Sequence, residues 1–305
     1  MAPRLKNEFS WSKSRDETFR ECLRKYYFQY YGAWGGWERG APERPRRLYT
    51  LKKLQTRWMW AGDHVHRAVQ AVLADLRQGR PPPAADAAGQ PLLEALRREF
   101  RDSRDGRYRQ DPVRACGLFE HEYQVELSDE DWKGVADHAG RCLQAFLASE
   151  IFQTIRALPP GAWLELEQLA SFVLDGLKIF VQLDFACRRD DGVRIYDWKT
   201  GRGEADGSDV QTGCYLLYGR ARWQAPPDQL AAVVFNLATG AVRERRLDAA
   251  QLDDLRGYIL DSADEMLVPL EDPEKNLARE EAFDFAEDES ACRRCNFLKA
   301  CPRWQ

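Results

Sequence analysis

The chain has 305 residues, of which 44% are hydrophobic and 31% are charged, enough for one large domain or two smaller ones with an ordinary core. No apolar run approaches membrane-spanning length and the first residues lack the hydrophobic region of a secretory signal, so we expect a cytoplasmic protein with no membrane partner. The net charge of −4 argues against a uniformly basic nucleic-acid-binding surface. Basic residues nevertheless concentrate at residues 44–53 and 97–109, where phosphate binding and a solvated surface explain them equally well.

The first predicted helix runs from about Arg15 to Tyr31 and follows three candidate capping residues, Ser10, Ser12 and Ser14. Apolar and aromatic residues recur along it at helical spacing, which predicts a face packed mostly in the core: Phe19, Cys22, Leu23, Tyr26, Tyr27 and Tyr30. Cys22 has a second candidate role, because further cysteines cluster at the other end of the chain.

The second predicted helix covers residues 50–77 and is capped by Thr50. Gly62 and His66 are one turn apart on it, so the small residue leaves room beside His66 for a ligand or a neighbouring strand. His64 points to a different face. Because a single histidine on a helix is more often a core or surface residue than a ligand, a metal-binding role for His66 depends on partners elsewhere.

Residues 80–150 are interpreted as a helical insertion within a single domain that spans residues 1–305. Within this insertion, the low-complexity residues 81–90 predict an exposed loop. Helices are expected at residues 91–100 and 129–149. The second of these begins at Ser128, with Asp131 in a capping-box position. The sequence FEHEYQVEL between the helices is compatible with a strand.

From residue 163 onwards, alternation with a period of two replaces the helical pattern. The turn dipeptides Asp175-Gly176 and Asp191-Gly192 divide this stretch into three strands of a meander. The segments that follow predict, in order, a helix at residues 209–223, a hairpin formed by AAVVFNL and VRERRL, and a helix at residues 249–267. The chain is therefore expected to have an α/β fold.

Acidic and basic side chains meet near the ends of the second and third strands of this meander. Because side chains alternate along a strand, Asp197 and Lys199 leave the same face of the sheet, and Asp184 can lie beside them. Two carboxylates held so close need a cation between them. Hard oxygen ligands suit Mg²⁺ or Mn²⁺, which bind phosphate oxygens and lower the pKa of a bound water. A lysine two residues after a metal-binding aspartate can orient that water.

Two alternatives apply to this motif. Glu165 and Glu167 alternate on the first strand, and Glu167 is the preferred additional ligand, although solvent exposure of both explains the pattern equally well. A surface hairpin with a solvated Asp–Lys pair would also give the same short motif.

Three cysteines near the carboxyl terminus have the spacing of a metal site: Cys292, Cys295 and Cys301. Disulfides are not expected in a cytoplasmic chain, so the three thiolates need a fourth ligand for zinc or for an iron-sulfur cluster, and Cys22 is the candidate. The remaining cysteines are expected to be inert core residues: Cys116, Cys142, Cys187 and Cys214.

In order and spacing, the chain resembles the RecB-like branch of the PD-(D/E)XK nucleases. The residues that carry this resemblance are His66 in GDHVH, Asp184, the Asp197-Trp198-Lys199 run, Gln211 and Tyr215. The arrangement of one early and three late cysteines resembles the iron-sulfur clamp of CRISPR-associated RecB-like exonucleases and AddB-type nuclease subunits. The resemblance extends from Cys22 to Cys301.

The resemblance implies a restriction-endonuclease-like core, with a mixed central sheet flanked by helices, and a role for each matching residue. His66, Asp184 and Asp197 would bind the metal, and the Trp198 carbonyl would join them. Lys199 would position the attacking water. Gln211 and Tyr215 would shape the site or hold the DNA strand. The four cysteines would hold a 4Fe-4S cluster that joins the amino-terminal segment to a clamp segment of residues 285–305.

The function expected from these residues is that of a Mg²⁺- or Mn²⁺-dependent DNA exonuclease acting on single-stranded ends. DNA repair, CRISPR adaptation and phage defence are the expected settings, with a helicase, an integrase or another repair or defence protein as partner. The alternatives are a non-catalytic DNA-binding subunit of such a complex and, less favoured, a zinc protein with four cysteine ligands.

Overall fold

The structure is a computed structural model that describes residues 5–82, 85–203 and 208–304. Its helices are α1 (Lys13–Glu21), α2 (Leu23–Tyr27), α3 (Glu43–Lys52), α4 (Arg57–Arg77), α5 (Ala85–Arg104), α6 (Arg107–Gln110), α7 (Phe119–Glu122), α8 (Asp129–Ala148), α9 (Glu150–Arg156), α10 (Ser208–Trp223) and α11 (Ala249–Leu267). Its strands are β1 (Leu54–Gln55), β2 (Gly117–Leu118), β3 (Trp163–Leu174), β4 (Leu177–Arg189), β5 (Gly192–Lys199), β6 (Leu230–Asn236), β7 (Val242–Arg245), β8 (Leu270–Asp272) and β9 (Leu277–Ala278).

Five strands form a mixed central sheet in the order β3–β4–β5–β6–β7. Neighbouring strands are antiparallel except β5 and β6, which are parallel. A parallel pair needs a crossover connection, and α10 supplies it. The sheet contains the predicted meander, β3 to β5, and the predicted hairpin, β6 and β7. The expected α/β core with a mixed sheet flanked by helices is confirmed.

The two turns of the meander differ in detail. Asp175 and Gly176 have positive φ angles of +47° and +86°, as a two-residue hairpin turn requires. The second turn consists of residues 190–191, one residue earlier than predicted, because Gly192 is already part of β5. Gly192 has a φ of +123°, and any side chain there would overlap the backbone of Gln229. Glycine is therefore needed at this position by the close approach of a second chain segment.

Hydrophobic residues cover both faces of the sheet. On one face, Phe185, Tyr196 and Trp198 pack with residues of α4, α5, α8 and α9. On the other face, Val193 and Ile195 pack with α10, α11 and the aromatic residues of α1 and α2. The sheet is thus a layer between two helical layers.

The predicted first helix is interrupted. Ser12 caps α1 as predicted, with its side chain accepting a hydrogen bond from the backbone N–H of Arg15. Cys22 then adopts an extended conformation, and its Sγ accepts the backbone N–H of Lys25 at the start of α2. The prediction of one helix as far as Tyr31 is therefore wrong. Apolar spacing continues across the break, so periodicity could not reveal it.

The predicted cap of the second long helix is also wrong. Thr50 lies inside α3, where its hydroxyl donates to the carbonyl oxygen of Arg46. The helix that contains His66 is α4, and it is capped by Thr56, whose side chain accepts from the backbone N–H of Met59. Thr50 and Thr56 both precede the apolar pattern of this helix and offer the same capping chemistry. The strand β1, which pairs with β2, lies between them, so Thr56 is the one that directly precedes α4.

The expected loop at residues 81–90 is wrong in its second half, where α5 begins, while residues 83–84 lie outside the described residues. Ala88 is only 8% exposed and joins the same core cluster as Leu92 and Leu96, four and eight residues later. Burial of this face stabilises a helix that low complexity concealed, because tertiary packing supplies most helical stability.

The sequence FEHEYQVEL forms the helical turn α7 and a loop, so the suggested strand is wrong. Its acidic residues have buried partners that no strand would give them. The Glu120 carboxylate accepts the backbone N–H of Arg57 at the start of α4 at 3.0 Å, and Glu122 accepts a hydrogen bond from Tyr108. Glu120 and Glu122 are two positions apart, so their spacing in the sequence is also that of polar residues along a strand.

Helix α8 begins with the predicted capping box of Ser128 and Asp131. Together with α5 it packs against α4 and contributes to the core on one face of the sheet. The division into a single domain with an insertion at residues 80–150 stays a prediction from the sequence.

Candidate active site

The strands β3 and β4 lose their regular pairing at two acidic residues. Glu167 and Asp184 face each other in a gap in the ladder of paired residues. Glu167 has a φ of +43°, a left-handed conformation that is uncommon for a residue with a side chain. Pairing between β4 and β5 also begins only at Phe185, one residue after Asp184. Such irregularities re-aim side chains at functional sites, and here both carboxylates line one cavity.

His66 on α4 brings an imidazole to this gap. Its Nδ1 lies 2.9 Å from Oδ1 of Asp184 and 3.6 Å from Oε1 of Glu167. One ligand atom from each of these three residues lies within 4.8 Å of the other two. The second oxygen of Asp184 accepts the backbone N–H of Trp198 at 2.5 Å, which fixes the orientation of the carboxylate. The group could hold a metal ion.

Gly62 allows α4 to approach the end of β5. A Cβ at this position would lie 2.9 Å from Oγ1 of Thr200, the residue after the strand. The room beside His66 that the sequence predicts is therefore taken by a neighbouring chain segment. His64 points elsewhere, as predicted, and its Nε2 lies 2.9 Å from Oε2 of Glu99 on α5.

A chain of hydrogen bonds holds Lys199 beside Asp197. The Lys199 Nζ lies 2.7 Å from Oδ2 of Asp197 and donates to Oε1 of Gln211 at 2.8 Å. Gln211 donates in turn to the hydroxyl of Tyr215 at 2.8 Å. That hydroxyl lies 3.0 Å from Oδ1 of Asp197 and 2.9 Å from the carbonyl oxygen of Gln182, so it donates to one of them. Gln211 and Tyr215 are one turn apart on α10, which contains the helix predicted at residues 209–223.

Burial shapes the ionisation of this cluster. Burial raises the pKa of Asp184, and the nearby His66 only partly opposes this effect. Burial lowers the pKa of His66, but the carboxylates of Asp184 and Glu167 raise it above its ordinary value. Burial and the nearby Asp197 raise the pKa of Tyr215 well above its ordinary value, so its hydroxyl stays protonated. The cluster thus concentrates more negative charge than its own cations neutralise.

Two buried carboxylate oxygens at this site have no hydrogen-bond partner, Oε1 of Glu167 and Oδ2 of Asp197. The Lys199 ammonium is close to the second of them, but not in the geometry of a hydrogen bond. Buried polar atoms without partners are rare and call for an explanation. Carboxylate oxygens are the ligands that suit Mg²⁺ and Mn²⁺, so the carboxylates present fit a divalent cation.

The site lies in an open cavity of about 620 Å³ that has lining residues which sequence reasoning missed: Asp63, Arg67, Gln70, Gln182 and Thr200. Asp63 and Gln70 lie three residues before and four residues after His66 on α4, so a search for residues one turn away from His66 could have found these two. Arg67 adds a guanidinium to the wall, where its Nη1 donates to Oε1 of Glu99 at 3.2 Å.

The structure places Glu167, and not Glu165, at the cavity. Glu165 is buried elsewhere and accepts a hydrogen bond from the Tyr218 hydroxyl at 2.6 Å. Both glutamates alternate on one strand in the sequence, and irregular backbone at Glu167 and between Trp163 and Glu165 separates their surroundings.

The four predicted clamp cysteines converge on a second, small cavity: Cys22, Cys292, Cys295 and Cys301. Burial raises the pKa of Cys295 to about 11 and also raises the pKa of Cys301. Cys142, Cys187 and Cys214 are buried, as expected for core residues, while Cys116 is only partly so.

Comparison with protein families gives a match to the PD-(D/E)XK nuclease superfamily over residues 10–302. The chain belongs to this superfamily. Comparison with curated proteins gives no significant match. Among solved structures, the crystal structure of SSO0001 is similar at 18% sequence identity, with a TM-score of 0.31 over 61% of this chain and 80% of that one.

Nucleases of the PD-(D/E)XK superfamily use divalent metals, and the group of His66, Glu167 and Asp184 could hold one. Membership indicates a metal-dependent nuclease, which would bind DNA. No helix within the described ranges has the length and apolar character needed to cross a membrane.

Proposed function

We propose that the protein is a Mg²⁺- or Mn²⁺-dependent deoxyribonuclease that hydrolyses phosphodiester bonds as an exonuclease on single-stranded ends. The observation that supports this most strongly is the gathering of three carboxylates, an imidazole and an ammonium group in one open cavity: Glu167, Asp184, Asp197, His66 and Lys199. The preference for single-stranded ends rests on the resemblance to RecB-like exonucleases.

In this proposal His66, Glu167, Asp184 and Asp197 bind the metal ion, and the carbonyl of Trp198 is a further ligand. The bound metal ion would lower the pKa of a water and neutralise charge on the phosphate. The backbone N–H of Trp198 keeps the Asp184 carboxylate in place, since one of its oxygens is committed to that hydrogen bond. The other oxygen lies 2.9 Å from Nδ1 of His66, and its remaining lone pair would meet the cation together with the unpartnered oxygens of Glu167 and Asp197.

Lys199 positions the attacking water and stabilises negative charge as it develops on the phosphate. Its ammonium lies beside Asp197 and donates to the amide oxygen of Gln211, so a further N–H can point into the cavity. Gln211 and Tyr215 serve as positioning residues, because Gln211 bonds to Lys199 and Tyr215, and the Tyr215 hydroxyl lies beside Asp197.

We further propose that the four cysteines hold a 4Fe-4S cluster. The thiols converge on one cavity whose other walls include Phe28, Phe285 and Phe297, an apolar setting that suits a cluster. The proposed clamp would join Cys22, at the break between α1 and α2, to a segment some 270 residues later, and closing so long a loop stabilises the folded chain. A helicase, an integrase or another repair or defence protein is the proposed partner.

The test is a digestion of labelled single- and double-stranded DNA by anaerobically purified protein with and without Mn²⁺. We expect metal-dependent loss of single-stranded DNA from its ends, and none with Asp184→Asn. The exposed Lys275→Ala is the matched control and should behave as wild type. Failure of well-folded wild-type protein to cleave any DNA in Mn²⁺ or Mg²⁺ would contradict the proposal and favour a DNA-binding subunit.

The cluster is tested on the same sample by its absorption spectrum and iron content. A brown protein with absorption from thiolate-to-iron charge transfer would support it. A colourless protein that contains zinc would replace the cluster with a zinc site of four thiolates.

A further inference from the structure

A groove runs between α4, α5 and α8, on the helical side of the molecule, and takes no part in the site described above. Its volume is about 660 Å³, within the usual range for ligand sites. Its walls are mainly apolar and include the rings of Trp60, Phe100 and Trp132. Phe100 and Trp132 are half-buried and meet edge to face, with centroids 4.9 Å apart. Aromatic rings therefore remain accessible to a ligand in the groove.

Positive charges line the rim of this groove. Arg97 and Arg101 lie one turn apart on the exposed side of α5, and neither makes an ion pair with any residue in the described part of the chain. Lys133 on α8 also lines the groove and pairs with Asp137 at 2.6 Å. Asp129 is the other carboxylate in the lining. The cationic groups that are free to meet a ligand are thus the two arginines of α5.

One side chain, Glu99, is hydrogen-bonded to a lining residue of the groove and to a lining residue of the catalytic cavity. Arg67, which lines the catalytic cavity, donates to one carboxylate oxygen of Glu99 at 3.2 Å. Trp60, which lines the groove, donates to the other oxygen at 3.0 Å. Trp60 and Arg67 are seven positions apart on α4, a rise of about 10 Å along the helix. This distance corresponds to roughly three stacked nucleotides at about 3.4 Å each.

We propose that the groove binds unpaired bases of the DNA strand whose scissile phosphate lies in the catalytic cavity. Accessible aromatic rings beside cationic side chains are the features that bind single-stranded nucleic acid, since every base has a face that can stack. Bases inside a duplex are already stacked and cannot enter. This inference rests on the proposed nuclease function, and it gives the helices within residues 80–150 a role in substrate binding.

The test measures binding without chemistry, by fluorescence anisotropy of labelled single-stranded oligonucleotides of increasing length in EDTA. Wild-type affinity should rise once the strand is long enough to extend from the cavity to the groove. Trp132→Ala should weaken binding of the long strand roughly 5- to 100-fold, the effect of one lost stacking contact. The double variant Arg97→Ala/Arg101→Ala changes only exposed side chains, and it should lose the same length-dependent gain. The controls are Trp34→Ala, in a different cavity, and Arg188→Ala, exposed at the far end of β4.

Binding of long strands by the well-folded double variant with wild-type affinity would overturn the proposal, and the groove would then be assigned to a protein partner. A wild-type protein that shows no gain in affinity with length would overturn it as well. A failure of the proposed function would be distinguishable from a failure of this inference. If the wild type binds in the expected manner but never hydrolyses DNA, the groove assignment stands and the nuclease proposal falls.

Discussion

Replacing Gln211 by alanine is expected to slow DNA hydrolysis mainly through Lys199, although it also removes the hydrogen bond that Gln211 donates to the Tyr215 hydroxyl. The substitution removes the 2.8 Å hydrogen bond to the lysine ammonium but leaves the contact with Asp197 at 2.7 Å. A hydrogen bond to a charged group contributes about 1.5–3 kcal/mol, so loss of orientation should lower kcat by roughly 10- to 100-fold. Lys199→Ala removes the charge itself and should lower kcat by about 100- to 1000-fold. Folding and Mn²⁺ binding should stay nearly unchanged in both.

The assay is a double-mutant cycle under single-turnover conditions with saturating Mn²⁺ and a labelled single-stranded oligonucleotide. If Gln211 acts only by positioning Lys199, the double variant is no slower than Lys199→Ala alone. Gln153→Ala, an exposed glutamine on α9, is the matched control. Effects of the two substitutions that simply add would show that Gln211 contacts the DNA directly, and an unchanged rate in Gln211→Ala would refute the positioning role.

Three further outcomes are expected. Cys295→Ala should give colourless protein without iron and lower the free energy of unfolding by about 2–5 kcal/mol, as loss of a native cross-link does; stable, fully active protein would contradict the clamp. Gly62→Ala should gain about 1 kcal/mol of helix propensity, but the new Cβ would lie 2.9 Å from Oγ1 of Thr200. The free energy of unfolding in urea should therefore change little while kcat falls. An unchanged kcat would contradict a tight fit between α4 and Thr200. Burial raises the pKa of Glu99, but the hydrogen bond with His64 lowers it to about 2. Its stabilising effect is therefore present above about pH 4.5 and is lost as the pH falls toward 2. Glu99→Gln should flatten that acid-side loss, by at most about 2 kcal/mol after solvent screening, and equal slopes in urea titrations from pH 4.5 to 2 would contradict the assignment.

The parts of the site that follow from local periodicity could be predicted from the sequence. Asp197 and Lys199 share a strand face because side chains alternate, and Gln211 and Tyr215 share a helix face because they are one turn apart. Asp184 can lie beside them because it is on the strand that precedes β5 in the meander. These relations span few residues, so the order of residue types determines them.

The parts that depend on contacts between distant segments could not be predicted. The left-handed backbone at Glu167 leaves no trace in the residue type, yet it separates the surroundings of Glu167 from those of Glu165. The break at Cys22 interrupts no apolar pattern, since the helix resumes on the same face. The buried position of Glu120 is equally hidden, because its partner is a helix terminus more than sixty residues away in the chain.

The contacts of the amino-terminal helices constrain how the protein can be made. Arg24 donates to the carbonyl oxygen of Phe283 at 2.7 Å, and its backbone N–H bonds to Asp284. Trp11 pairs with β4 on the stretch that β5 leaves open. The first helices therefore leave the ribosome long before Phe283 and Asp284 are synthesised. Until then their polar groups lack these hydrogen-bond partners and are exposed or covered by a chaperone. Because those late residues complete the packing around the sheet, cleaving activity should appear only after Phe283 and Asp284 have been synthesised.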